Sequence, residues 1–177
     1  MKWLLIIFTA MVGLMTEETN AVDLDKENIL YIDLEVGRIE ILMRPDVAPK
    51  HVARVKELAR QGFYDGTIFH RVIPGFMAQG GDPDGTGLGG SGQNIEAEFN
   101  KLPHMRGTVS MARATDENSA DSQFFICLDR STFLDGQYTS WGRVMKGMEF
   151  VDMINVGEPP ANPTKIIRMQ VAADVKE

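Results

Sequence analysis

Phe69-His70-Arg71-Val72-Ile73-Pro74-Gly75-Phe76-Met77-Ala78-Gln79-Gly80-Gly81-Asp82 is the densest stretch of the 177-residue chain. It falls across two candidate strands, 67–73 and 75–81, and the pattern around it repeats. Further short candidates at 94–98, 107–112, 122–128, 140–144 and Lys165–Ala172 are separated by Gly, Asp and Asn, the punctuation of an all-β chain. Upstream, residues 28–44 read as a hairpin. Ile29, Tyr31 and the Ile32/Leu34 pair precede Gly37, after which Ile39, Ile41 and Met43 alternate with Arg38, Glu40 and Leu42. Between hairpin and stretch lies one helix. Pro49 suits its first position, Val52, Val55, Leu58 and Ala59 form an apolar stripe at helical spacing, and Gly62 stops it. A second, shorter helix fits Met148–Ile154. Many short strands with two helices indicate an antiparallel barrel or sandwich. Two helices cannot cover both faces of a large open sheet, but they can plug the ends of a barrel.

The length suits one well-cored domain and is short for two. The composition is globular, with 44% hydrophobic and 24% charged residues. The formal charge of −7 sets the chain against phosphate backbones, so no nucleic-acid partner is expected. The N-terminus stands apart. Lys2 is followed by an uncharged, mostly apolar run, Trp3–Met15, and then by Thr16–Ala21 with small residues at its end. This is the order of a secretory signal peptide, and the run is too short to span a bilayer comfortably. The expectation is a signal peptide over 1–21, a single domain over 22–177, a periplasmic or secreted location, and no stable membrane insertion after cleavage. Cys127 is the only cysteine. It lies within Phe124-Phe125-Ile126-Cys127-Leu128 and reads as a buried structural thiol, since an apolar setting raises a thiol's pKa.

Several motifs carry little. Gly85-Thr86-Gly87-Leu88-Gly89-Gly90 contains GxGxxG, but no helix opens at its end, so it reads as a flexible loop rather than a dinucleotide cradle. Asp82-Pro83-Asp84-Gly85 begins like a calcium loop, yet Gln93 stands where the terminal Glu should be. His51, His70 and His104 lack metal-ligand spacing, so no metal site is expected, and His51 and His104 read as surface residues. No GxSxG elbow or Ser/His/Asp constellation is favoured.

The opening stretch resembles the signature of the cyclophilin prolyl isomerases almost letter for letter. Ser110-Met111-Ala112-Arg113-Ala114, Ser122-Gln123-Phe124-Phe125-Ile126, Phe133-Leu134-Asp135-Gly136 and Trp141-Gly142-Arg143-Val144 resemble later blocks of that family, in order. The resemblance runs from about Ile29 to Val171. It implies a mainly β fold, an eight-stranded antiparallel closed β-barrel capped by two α-helices. It also implies a cofactor-free peptidyl-prolyl cis/trans isomerase acting on proline-containing polypeptides. That reaction makes and breaks no covalent bond, which is consistent with the lack of triads and ligand clusters.

By the same resemblance, Arg71 is the catalytic donor to the prolyl nitrogen and Gln79 holds it in place. Phe76, Met77, Phe125 and Leu134 form the apolar seat, with Tyr138 at its edge. Gln123 and the backbone of Ala112, Arg113 and Ala114 bind the peptide main chain. Phe133 is counted with the substrate-binding residues, and the chain departs from many family members at Phe133 for Trp, Tyr138 for His and Arg113 for Asn. Phe lacks the N–H donor of Trp, so cyclosporin binding is expected with reduced affinity. Phe69 and Phe124 are expected in the core. The rival reading is a low-activity module or chaperone that holds proline segments on the same fold. A monomer is expected.

Overall fold

The computed structural model describes residues 24–176. The predicted signal peptide over 1–21 lies outside them. Eight strands form one antiparallel sheet: β1 Ile29–Leu34, β2 Gly37–Met43, β3 Arg71–Ile73, β4 Met77–Gly80, β5 Thr108–Met111, β6 Phe124–Cys127, β7 Ser140–Lys146 and β8 Arg168–Val171. Their order is β3-β4-β6-β5-β7-β2-β1-β8. Helix α1, Pro49–Arg60, packs on β8, and α2, Met148–Asp152, packs on β2. Among the described residues no helix is long and apolar enough to cross a membrane.

The predicted hairpin sets the register. Leu30 faces Ile41 and Ile32 faces Ile39 across β1 and β2. All four are fully buried, as period-two alternation requires when one face meets the core. The core continues through Phe69, Phe124 and Trp141. The Phe124 ring meets Tyr64, Phe69 and Trp141 edge-on, at centroid distances of 5.8, 6.2 and 6.2 Å, an arrangement that aligns ring edges with ring faces. Phe69 and Phe124 are core residues, as expected.

Four expectations need adjustment. First, the barrel is less closed than expected, because β3 and β8 share no ladder. Their seam is laced by single pairings just before each strand: Gly66 N–H donates to Ile166 O (2.7 Å), Ile166 N–H to Thr67 O (2.8 Å) and Phe69 N–H to Thr164 O (3.0 Å). Second, 94–98 is not a strand. Ile95 makes an isolated bridge with Ala120, and the segment serves α1 instead. Ala48, the residue before that helix, makes no side-chain cap. Glu98 takes its place by accepting the Lys50 and His51 N–H groups, each at 3.0 Å. A carboxylate there satisfies orphan donors and meets the positive end of the helix.

Third, His51 and His104 are buried rather than exposed. His51 Nδ1 lies 2.7 Å from Glu98 Oε2. Burial lowers its pKa, and the carboxylate pulls the other way with less effect. Fourth, the second helix stops at Asp152, two residues earlier than expected.

Candidate active site

Adjacent residues of β4 and β6 point to opposite faces. Ala78, Phe124 and Ile126 join the barrel core. Met77, Phe125 and Cys127 turn outward and, with Leu134, form a second apolar cluster flanked by Ile73, Phe76, Ala112 and Tyr138. That cluster opens into a cavity of about 130 Å³ lined by Arg71, Phe76, Met77, Gln79, Ala112, Arg113, Phe125, Leu134 and Tyr138. Strand pairing creates this convergence. Arg71 faces Gln79 across β3 and β4, and Gln79 faces Phe125 across β4 and β6. Tyr138 meets Phe125 edge-on at 5.9 Å.

Arg71 Nε donates to Glu158 Oε2 at 2.8 Å, and Nη1 reaches Gln79 Oε1 at 3.5 Å. Its Nη2 has no hydrogen-bond partner among the described residues. Gln79 Nε2 donates to Gln123 Oε1 at 2.9 Å. Gln123 Nε2 in turn donates to the carbonyls of Gly87 and Gly89, at 3.0 and 2.8 Å. A relay of amides therefore runs from the guanidinium to the Gly-rich loop.

That loop is tied down rather than free, which corrects its reading as flexible. The buried Asp82 carboxylate accepts the N–H groups of Asp84, Thr86, Gly87 and Gly89. Burial on its own would raise this carboxyl's pKa, but the backbone donors outweigh it and hold it below the ordinary value. Gly81 begins the turn at φ +84°. A Cβ there would sit 2.6 Å from Ser122 O, so only glycine allows this close approach.

Ala114 and Gln123 line a second cavity of about 440 Å³, which shares Gln79, Ala112 and Arg113 with the first. Phe133 lines neither. It is exposed at the rim, its ring 5.5 Å from that of Phe76. The Arg113 guanidinium donates to the carbonyls of Gln137, Ala114 and Thr115 and lies 4.8 Å over the Tyr138 ring. It pins two rim segments together.

Sequence reasoning missed Glu158, Asp82 and His104. Nothing local marks Glu158, which lies 87 positions from Arg71. His104 stands behind the Phe125 ring, stacked at 6.0 Å. Its Nδ1 is 2.8 Å from Asp135 Oδ1 and its Nε2 is 3.0 Å from Ser110 Oγ. These are the atoms of a Ser/His/Asp triad, but Ser110 is fully buried and its hydroxyl donates to Thr139 O at 2.9 Å. The hydroxyl is neither accessible nor aimed at a substrate, so the trio braces the pocket wall. Cys127 is fully buried too, and burial pushes its thiol up to about 12, in keeping with its reading as a structural residue.

The family model described as "Cyclophilin type peptidyl-prolyl cis-trans isomerase/CLD" matches residues 29–171. A Brucella suis protein named "Probable peptidyl-prolyl cis-trans isomerase" is 47% identical over 169 residues, 86% of each chain. Peptidyl-prolyl cis-trans isomerase B of Bacillus subtilis is 45% identical over 131 residues, 72% of this chain and 91% of the relative. Among solved structures, cyclophilin AquaCyp293 from Hirschia baltica superposes with a TM-score of 0.80 at 31% identity, covering 86% of this chain and 76% of that one. A Cryptosporidium parvum cyclophilin-type isomerase, crystallised in the presence of the dipeptide Ala-Pro, gives 0.76 at 30% identity, covering 81% and 98%.

Proposed function

The chain belongs to the cyclophilin-type peptidyl-prolyl cis-trans isomerase family, and from that premise we propose that Arg71 catalyses X-Pro rotation by donating to the prolyl nitrogen. The isomers differ by only about 0.5–1 kcal/mol, while the amide barrier is ~18–20 kcal/mol. That barrier is lost resonance. At the twisted transition state the nitrogen lone pair localises and accepts a hydrogen bond far better than in the planar ground state. A donor placed there binds the transition state selectively, which is the requirement for catalysis.

The observation that carries this reading is the shared wall of the small cavity. An always-charged guanidinium with Nη2 unspent stands beside an apolar seat made by Phe76, Met77, Phe125 and Leu134. In the proposal the proline ring occupies the seat, and the main chain of the polypeptide crosses Gln123 and residues 112–114. No covalent intermediate forms. The substrates are exposed X-Pro bonds of unfolded or flexible chains, and the protein assists folding as a monomer. The exposed Phe133 ring replaces an indole donor, so cyclosporin inhibits, but with reduced affinity.

A proline-switched or protease-coupled assay tests the mechanism. Arg71→Ala is expected to lower kcat/KM about 10²–10³-fold, the range for removing one preorganised transition-state donor, with unchanged melting. Wild-type turnover by the variant would overturn the role of Arg71. No turnover by the wild type would favour a module that only holds proline segments. We also propose export, on the strength of the charged, apolar and small-residue order of residues 1–21. Sequencing of the exported protein should begin at or near Val22, and a retained Met1 would overturn cleavage.

A further inference from the structure

We propose that Glu158 is a positioning residue for this reaction, clamping Arg71 from the side of β3 that no strand covers. The inference rests on the role of Arg71 proposed above. β3 is an edge strand. On its inner side Arg71 meets Gln79, its partner across β4. On its outer side Gly157 pairs with Val72, the residue after Arg71, through two backbone bonds: Val72 N–H to Gly157 O at 2.8 Å and Gly157 N–H to Val72 O at 3.0 Å. This two-way bridge delivers the next residue, Glu158, beside the arginine.

The delivery is built into the loop. Gly157 sits at φ +144°, where a Cβ would fall 2.6 Å from Pro160 Cα, so the turn admits only glycine. Asn155 spans the loop's base, its N–H donating to Thr164 Oγ1 at 3.0 Å and its Nδ2 to Asn162 O at 2.7 Å. The carboxylate therefore hangs from a braced backbone.

Its point of attachment matters. Glu158 Oε2 takes the Nε–H, at the root of the guanidinium fork, while Gln79 meets one η nitrogen only weakly, at 3.5 Å. Holding Nε fixes the plane of the fork and leaves Nη2 for the substrate. Without that contact a long, partly exposed side chain samples many rotamers, and only some present a donor to the cavity. The carboxylate also lowers the positive potential of the arginine. Both groups are more than one-third exposed, so water screens that opposing effect, and orientation dominates.

The variants Glu158→Ala and Glu158→Gln, each in wild-type and Arg71→Ala backgrounds, test this with measured kcat, KM and melting temperature. Glu158→Ala should lower kcat about three- to tenfold with KM and melting nearly unchanged, because the lost contact serves the transition state. Glu158→Gln, which keeps an acceptor oxygen, should retain at least half of wild-type kcat. In the Arg71→Ala background neither substitution should change the residual rate, since a residue acting through another has nothing left to position. An unchanged or raised kcat in Glu158→Ala overturns the proposal, as does an equal loss in both backgrounds. Full activity in Arg71→Ala alone would instead overturn the underlying mechanism, so the two failures are separable.

Discussion

The two faces of β4 and β6 carry similar residues and do different work. Phe124 and Ile126 face into the barrel and meet Phe69, Trp141 and Ile39 in a closed core. Phe125 and Cys127 face out and meet Met77 and Leu134 in a cluster that stops short of closing. Both phenylalanines are buried, at 0% and 5% exposure. Burial alone does not separate core from seat. What separates them is whether the chain supplies the last wall, and outside the barrel that wall is missing and a cavity stands in its place.

The pair Phe124→Ala and Phe125→Ala tests this directly. Phe124→Ala leaves a hole ringed by three aromatic partners, and large-to-small changes of this kind cost about 3–5 kcal/mol. Melting should fall by on the order of 10 °C in a domain of this size, with specific activity of the surviving folded fraction nearly intact. Phe125→Ala should do the reverse. Its ring already borders a cavity, so melting should fall less. The seat loses a wall that contributes about 1.5–3 kcal/mol by burial, and kcat/KM should fall at least tenfold. Equal effects of the two substitutions on melting and turnover would erase the distinction between the faces.

The same contrast explains what could be read in advance. Alternation in 28–44 picks out Ile32, Leu34, Ile39, Ile41 and Met43, all of them buried, because a period of two is a local property, whereas Tyr31 is only half-buried and its neighbour Leu30 takes the inward place. The apolar stripe of α1 was legible for the same reason. Phe76, Met77, Phe125 and Leu134 were assigned to one seat through the family resemblance of their motifs, and the structure brings them together. The failures are non-local. Residues 94–98 alternate like a strand, yet Glu98 is drawn to the uncapped start of α1, a demand set by a helix more than 40 residues away. His51 and His104 read as polar surface because nothing in their neighbourhoods shows that Glu98 and Asp135 will take up their Nδ1 atoms once the rings are buried. Glu158 was invisible because its relation to Arg71 exists only through the bridge from Gly157 to Val72.

Asp82 probes how far the open face depends on the closed one. Its carboxylate lies inside the structure and gathers the loop whose Gly87 and Gly89 carbonyls hold Gln123. Asp82→Asn keeps the size but replaces one acceptor with a donor facing other donors. A cost of about 1–3 kcal/mol is expected, the usual penalty for a buried group left wrongly paired. Loosening Gln123 should also slacken Gln79 and Arg71. kcat/KM should therefore fall, though less than in Phe125→Ala. A stable variant with unaltered turnover would show that the loop and the relay are independent.

The smallest expected effect concerns His70, which lies between the two regions and is paired with neither. It is buried, and neither ring nitrogen has a hydrogen-bond partner, since both Gln123 amide hydrogens go to glycine carbonyls. Burial holds its pKa below the ordinary imidazole value of about 6.5. The folded protein thus keeps this ring neutral at a pH where the unfolded chain has already taken up a proton. The resulting stability is fully present above about pH 6.5 and is lost as pH falls through the folded-state pKa. His51 acts in the same direction. Asp82, Glu98 and Asp135 are all held below ordinary carboxylate values, and the unfolded chain's carboxylates are themselves mostly ionised above pH 5, so these groups add little slope between pH 7 and 5. Wild-type melting should decline modestly over that interval. His70→Asn should show a shallower decline whatever its starting stability, because the slope depends on proton uptake and not on packing. An identical slope in the variant would place His70 in a polar, satisfied environment in solution and assign the pH dependence to His51 alone.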